Sequence, residues 1–432
     1  MNIFDKTNEL LIRSFKVTPL GAQTFSKSVR YYVKGHAPMF IDHAEGCYLW
    51  DVDGNKFTDF MCALGPITLG YNYEKVNQAV IDQLKKGVLY STQSPLEVEL
   101  AEKLTKIIPC AEMVRFVKNG GDATTSAIRL ARAFTGKERV AMCGYHGMHD
   151  WSIGASANNR GVPSAVRELT TLFSYNDLDS LEKVLEKHKN EFAAVILEPI
   201  QSNGTTTEYL QEVKNITHKN GALLIFDEVV SGFRYALGGA SQLYNVVPDM
   251  AALGKGMANG MPLSAIVGRR DLLSQISDGV FISTTFGGDA ISIAAALATI
   301  NEIELNNVID YFWVLGTKML KGLSDLIKKY DINGAVTISG LAPHCGIVFN
   351  EIGSLSSLDI NSVYSYFMIK NNILAFSINN ISYSHKEEDI DDYLNAADKA
   401  FKAIGKVVKQ DSIEGIIPVE GLINPIFKRN IK

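Results

Sequence analysis

The sequence predicts an α/β protein, with a large domain built on a mostly parallel central sheet covered by helices and a small α+β domain beside it. Two observations predict this. Short apolar runs alternate with amphipathic helical stretches across residues 86–315, the pattern of a sheet buried on both faces. On either side of that zone the patterning is mixed rather than alternating. In chain order, residues 1–85 form an N-terminal segment with β-type runs around Asp-Gly and Gly-Pro turns. Residues 48–60 read as a hairpin turning at Asp53-Gly54. Residues 113–118, 139–143, 193–199, 222–227 and 264–268 read as buried strands, and 122–134 as a helix between two of them. Residues 316–432 form the C-terminal small α+β domain, with helices over 361–372 and 387–405 and an extended apolar tail that follows no period.

Composition narrows the function. The 432 residues carry a net charge of −5, with 46% apolar and 21% charged residues, and no block of like charge forms a tail. That balance excludes a general nucleic-acid binder and suits a small, often anionic metabolite. Cys47, Cys62, Cys110, Cys143 and Cys345 are scattered without a C-x-x-C pair, which argues against a disulfide framework and against a metal site. The N-terminus is too polar for a signal peptide, and no run reaches the roughly 20 apolar residues that span a bilayer. The expectation is a cytoplasmic protein with no membrane or nucleic-acid partner.

Five places could carry chemistry. Asn119, Gly120 and Gly121 lie between the run ending at Lys118 and the helix starting near Asp122. Two glycines allow close backbone approach, and a helix N-terminus offers unpaired N–H groups to a phosphate; an ordinary strand–helix turn would look the same. Asp227 ends the apolar run 222–227, where open α/β sheets bind ligands. A buried acid there needs a cationic partner such as a protonated pyridine nitrogen, or else it caps the following helix. Lys255 stands between Gly254 and Gly256 in a stretch almost free of charge. Desolvation would keep its amine neutral and nucleophilic, whereas a surface lysine in a glycine-rich loop is the plainer alternative. Tyr145 and His146 follow the run 139–143, placed for stacking on a flat heterocycle or for filling a core. Residues 284–289, TTFGGD, offer hydroxyls beside a tight turn.

At these residues the sequence resembles the class III (fold-type I) pyridoxal-phosphate aminotransferases, and within them the glutamate-1-semialdehyde 2,1-aminomutase branch. The likeness runs through GCYLWDVDGNKFTDF, FVKNGGDATTSAIRLARAFTG, GYHGMHDW, LEPI, FDEVVSGFR, PDMAALGKGMANGMPLSAIVG and STTFGGDAISIAAA, in that order. It implies that Lys255 holds pyridoxal 5′-phosphate as an internal aldimine and that Asp227 pairs with the pyridine nitrogen. Tyr145 would stack on one ring face, beside His146, with Val229 against the other. Asn119, Gly120 and Gly121 would hold the phosphate, and Thr285 would reach it from the second subunit of a homodimer. The usual Ser-Gly-Thr of the phosphate loop is Asn119-Gly120-Gly121 here, so a phosphate hydroxyl is missing. The segment around Ser28-Val29-Arg30 is out of step with the aminomutase, the stretch between Arg269 and Thr284 is short, and the tail is long.

The implied activity is transfer of an amino group from an amino donor to a small or sugar-like carbonyl acceptor. Lys255, Asp227 and Tyr145 are its catalytic residues. The alternative is an intramolecular 2,1-aminomutase. A non-PLP nucleotide-binding enzyme is the distant one, opposed by the lack of G-x-G-x-x-G after the first strand and of G-K-[ST]. Lys27, Arg30, Arg234 and His149 are candidates for gripping an anionic substrate group.

Overall fold

The computed structural model describes residues 4–201 and 204–425. Among them the chain forms two compact units, one of residues 4–64, 69–73 and 310–425, the other of residues 65–68, 74–201 and 204–309. Residues 426–432 of the apolar tail lie outside the described residues.

The first unit begins with the helix Asp5–Val17 and the strands β1 (Ile41–Glu45), β2 (Tyr48–Asp51) and β3 (Lys56–Asp59). β2 and β3 pair antiparallel, with Trp50 opposite Lys56. The turn between them is made by Gly54 at φ +87° and by Asp51, whose Oδ1 accepts the N–H groups of Asp53 and Asn55 at 3.0 and 2.7 Å. Asp53 then caps the N-terminal helix, its two carboxylate oxygens accepting the N–H groups of Lys6 and Thr7 at 2.7 and 2.9 Å.

The second unit holds a seven-stranded sheet of β4 (Met113–Val117), β5 (Arg139–Cys143), β6 (Thr170–Leu172), β7 (Phe192–Leu197), β8 (Leu223–Asp227), β9 (Met250–Leu253) and β10 (Ser264–Gly268), ordered β4-β10-β9-β8-β7-β5-β6. β5 to β9 are mutually parallel, because helices cross between most of them. β10 runs antiparallel to both β9 and β4. The link from Leu253 to Ser264 is a short 3-10 turn, Lys255–Ala258, too short for a crossover back to the same end. All six residues of β7 and all five of β8 are buried, as a sheet with helices on both faces requires. Ala123, Ala127, Ile128, Leu130 and Ala131 of the helix Gly120–Thr135 belong to the same core as Val140, Ile196 and Ile225. Each fully buried aliphatic side chain in that core contributes about 1.5–3 kcal/mol.

The first unit resumes with β11 (Val336–Leu341), β12 (His344–Phe349), β13 (Ile373–Leu374) and β14 (Ile378–Asn380). β11, β12 and β14 form an antiparallel sheet, and β13 adds in parallel to β3. The helices Ser357–Lys370 and Glu387–Gln410 meet through the buried hydroxyls of Tyr364 and Tyr393, 2.7 Å apart. No described helix is long and apolar enough to cross a membrane.

Candidate active site

One edge of the large sheet collects the chemistry. β4 lies parallel to β9, since β10 opposes both, so the carboxyl ends of β4, β5, β7, β8 and β9 share that edge. Asn119, Tyr145, Glu198, Asp227 and Lys255 stand at or just after those five ends. Ligands of open α/β sheets bind there.

At the end of β4 the helix starts at Gly120, two residues before the position read from the sequence, so both glycines lie inside its first turn. Asn119 caps it: its N–H and side-chain amide both donate to Asp122 Oδ2, at 2.9 and 3.1 Å. A Cβ on Gly120 would lie 2.9 Å from both methyls of Val229. A Cβ on Gly147, at φ +105°, would lie 2.7 Å from the Gly121 Cα, so two backbones meet where no side chain fits.

After β5, Tyr145 is 40% exposed and its N–H donates to Glu198 Oε1 at 2.8 Å. Glu198, at the end of β7, therefore sets the backbone under Tyr145. Its charge, after burial, helps push the Cys143 thiol up to about 12. His146 is buried, with Nδ1 2.7 Å from Asp227 Oδ2 and Nε2 3.1 Å from the Cys143 carbonyl. A carbonyl can only accept, so Nε2 carries a hydrogen. The ring also lies parallel to Trp151, with centroids 6.3 Å apart. Asp227 Oδ1 accepts the Val229 N–H at 3.1 Å. The acid is thus oriented by two neighbours rather than capping the next helix.

After β9, Lys255 adopts φ +37°. A left-handed non-glycine residue costs on the order of 1–3 kcal/mol and persists where its surroundings over-determine it. Gly254 ahead of it abuts Ser264 and Val229: a Cβ there would lie 2.8 Å from the Ser264 hydroxyl and 3.5 Å from a Val229 methyl. Ser264 in turn donates to the Lys118 carbonyl at 3.3 Å. Val229 therefore touches both the glycine turn and the lysine turn, while its own N–H holds Asp227.

These contacts join Gly120, Val229, Asp227 and His146; Asn119 and Gly121 flank Gly120, Lys255 follows Gly254, and Tyr145 precedes His146 in sequence. Thr285 is exposed on a turn whose Gly287 packs against the Phe116 carbonyl of β4. Lys118 ion-pairs with Asp289 at the far side of that turn and donates to the Pro262 carbonyl at 2.8 Å. Arg234 is buried and donates to the Gly65 carbonyl at 3.1 Å. Lys27 and Arg30 lie on two short 3-10 turns of the other unit. Glu198 and Ser264 also stand on this edge, beyond the residues the sequence marks. Their signal was position alone, an acid and a hydroxyl at strand ends on the ligand edge.

A dianionic, planar, cationic-ringed cofactor fits this set. The glycine turn leaves backbone N–H groups and no side-chain bulk, a buried carboxylate faces the same edge, and a lysine is held in a strained turn beside them. His149 Nδ1, buried over Gly121, has no hydrogen-bond partner among the described residues.

Known proteins agree with that fit. The family model for class III aminotransferases matches residues 31–351. The chain is 38% identical to 3-aminobutyryl-CoA aminotransferase of Cloacimonas acidaminovorans over 83% of its own length and 88% of that protein. It is 35% identical to glutamate-1-semialdehyde 2,1-aminomutase of Methanocaldococcus jannaschii, covering 93% and 99% of the two chains. Among solved structures, the internal-aldimine form of the Sphingopyxis sp. FumI protein superposes with a TM-score of 0.86 at 27% identity, over 93% of this chain and 97% of that one.

Proposed function

Because the chain belongs to the class III aminotransferases, pyridoxal-phosphate enzymes of fold type I, we propose that it transfers an amino group from an amino donor to a small or sugar-like carbonyl acceptor, with Lys255 as the residue that holds the cofactor. One observation carries the reading. Lys255 is held in a left-handed turn whose Gly254 packs on Val229, and Val229 contacts Gly120 and orients Asp227. The glycine ahead of the lysine, the acid and the phosphate-binding turn thereby all approach Val229.

Pyridoxal phosphate, when bound, supplies an electron-withdrawing ring that acidifies the substrate carbon bearing the amine. The chain's own residues do the rest. Asp227, fixed by His146 and the Val229 N–H, keeps a proton on the ring nitrogen. The N–H groups of the Gly120–Thr135 helix start bind the phosphate. Tyr145 and Val229 cover the two ring faces. The Lys255 amine, once free, would act as the base that takes the proton from the substrate carbon. Thr285, exposed on its turn, completes the phosphate site of a second copy in a homodimer, and the enzyme works in the cytoplasm.

An intramolecular 2,1-aminomutase is the second reading, favoured by identity to aminomutases across nearly the whole chain. Consumption of a separate amino donor with release of its keto acid separates the two. For the cofactor lysine, borohydride reduction of the yellow protein should fix the cofactor's mass on the peptide carrying Lys255. Lys255→Ala should lower turnover by at least about 10³-fold with the fold intact. A label on another lysine, or undiminished turnover, removes Lys255 from this role.

A further inference from the structure

We propose that His149 is the side-chain ligand of the cofactor phosphate, donating from Nδ1 where the phosphate turn itself has no side chain to offer. The proposal rests on the cofactor reading above and assigns His149 to the phosphate rather than to an anionic substrate group.

The turn is poor in side-chain donors. The Asn119 amide is directed to Asp122 at 3.1 Å, and Gly120 and Gly121 have no side chains. The nearby Thr124 hydroxyl donates to the His146 carbonyl at 2.7 Å. Backbone N–H groups at the helix start are what remain, and a phosphate dianion presents three acceptor oxygens.

His149 supplies what is missing. Its backbone is pinned by its carbonyl, which accepts the N–H groups of Ser152 and Ile153 at 2.9 and 3.0 Å. Its ring edge occupies the direction a side chain at position 121 would take: a Gly121 Cβ would lie 3.0 Å from Nδ1 and 3.2 Å from Cε1. Glycine at 121 is thus what lets the imidazole approach the turn. Nδ1 is buried there without a partner among the described residues. An unsatisfied buried donor is costly in any fold, and an anion on this turn relieves that cost. The opposite nitrogen, Nε2, faces Asp122 Oδ1 at 3.5 Å. With Nε2 turned toward Asp122, Nδ1 is the ring nitrogen that meets the phosphate, and a bond to a phosphate dianion is charge-assisted.

Full-length protein stripped of cofactor tests this by titration with pyridoxal phosphate and with pyridoxal, which lacks the phosphate. His149→Ala should weaken pyridoxal phosphate binding about ten- to hundredfold while pyridoxal binding is unchanged. The amide nitrogen of asparagine falls where Nδ1 lies, so His149→Asn should stay within about threefold of wild type; glutamine's falls where Nε2 lies, so His149→Gln should behave like alanine. If asparagine and glutamine variants bind pyridoxal phosphate equally well, or if alanine weakens both ligands alike, the assignment is overturned. A wild-type protein that binds neither ligand defeats the cofactor reading instead, and a raised substrate KM with unchanged cofactor binding returns His149 to the substrate.

Discussion

Asp227 and Glu228 are neighbours at the end of β8, both acids, both buried, and the fold treats them in opposite ways. Alternation along an extended chain sends them to different sides. Asp227 meets a histidine ring and a single N–H, at 2.7 and 3.1 Å, on the ligand edge. Glu228 is surrounded by donors: the N–H groups of Ala240 and Ser241 at 2.9 Å each, the Ser241 hydroxyl at 2.8 Å, and the Ser231 hydroxyl. Burial pushes the Glu228 carboxyl above the usual carboxylate range in spite of those donors. Its oxygens already have partners within the protein. Burial alone therefore does not mark a site residue; the partners decide, and only Asp227 has partners that suit an incoming cation.

The largest test of that contrast is Asp227→Ala. Without the carboxylate nothing keeps the proton on the ring nitrogen, so turnover should fall by about 10²–10⁴-fold with a changed cofactor absorption band, a larger effect than the loss of melting temperature from unpairing His146. A variant that melts much earlier but turns over normally would make Asp227 the structural acid of the two.

Much of this arrangement is legible in the residues, and the exceptions are instructive. The runs in β7 and β8 announce themselves because a doubly covered sheet needs unbroken apolar strands. β9 does not: Met250-Ala251-Ala252-Leu253 is short, lacks β-branched residues and leads straight into the Lys255 turn. β6, three residues at the sheet edge, carries no run at all. In the candidate site, the order from Asn119 to Lys255 along the chain is visible in the sequence. The opposite roles of Asp227 and Glu228 are not, because they depend on Gly239 leaving room for the Glu228 carboxylate, where a Cβ would come within 2.4 Å. His149 is marked in the sequence as a grip for an anionic group, but its place over Gly121 is not, because that depends on the Gly121–Gly147 approach between segments far apart in sequence.

A third buried acid sharpens the contrast from the other unit. Asp59 accepts the N–H groups of Met61 and Cys62 at 2.8 and 3.1 Å and the Tyr71 hydroxyl at 2.7 Å, yet burial pushes its carboxyl up to about 6. Its unfolded value is about 3.9. The folded protein therefore keeps the proton longer than the unfolded chain, so the stabilisation is complete below about pH 4 and is lost as pH rises through about 6. About 2 units at 1.36 kcal/mol each make this about 3 kcal/mol. Thermal melts of wild type and Asp59→Asn between about pH 4 and 7 should show the wild-type advantage shrinking as pH rises. A difference that stays constant across that range removes Asp59 as the titrating group.

Glu228→Gln is the smallest expected effect and the most direct complement to Asp227→Ala. The amide oxygen can still accept from one side, but its NH₂ group now faces an N–H that cannot turn to accept it. One buried donor is left without a partner, at about 1–3 kcal/mol, so the melting temperature should drop by several degrees. Turnover in the folded variant should match wild type, because the partners of the Glu228 carboxylate, Ser231, Ala240 and Ser241, are not those that hold Asp227. The two substitutions together decide the comparison: activity should follow Asp227 and stability should follow Glu228. A Glu228→Gln protein that melts like wild type but loses turnover as heavily as Asp227→Ala would show that the two acids act as one unit, with the serine cluster around Glu228 feeding the site through the shared strand end.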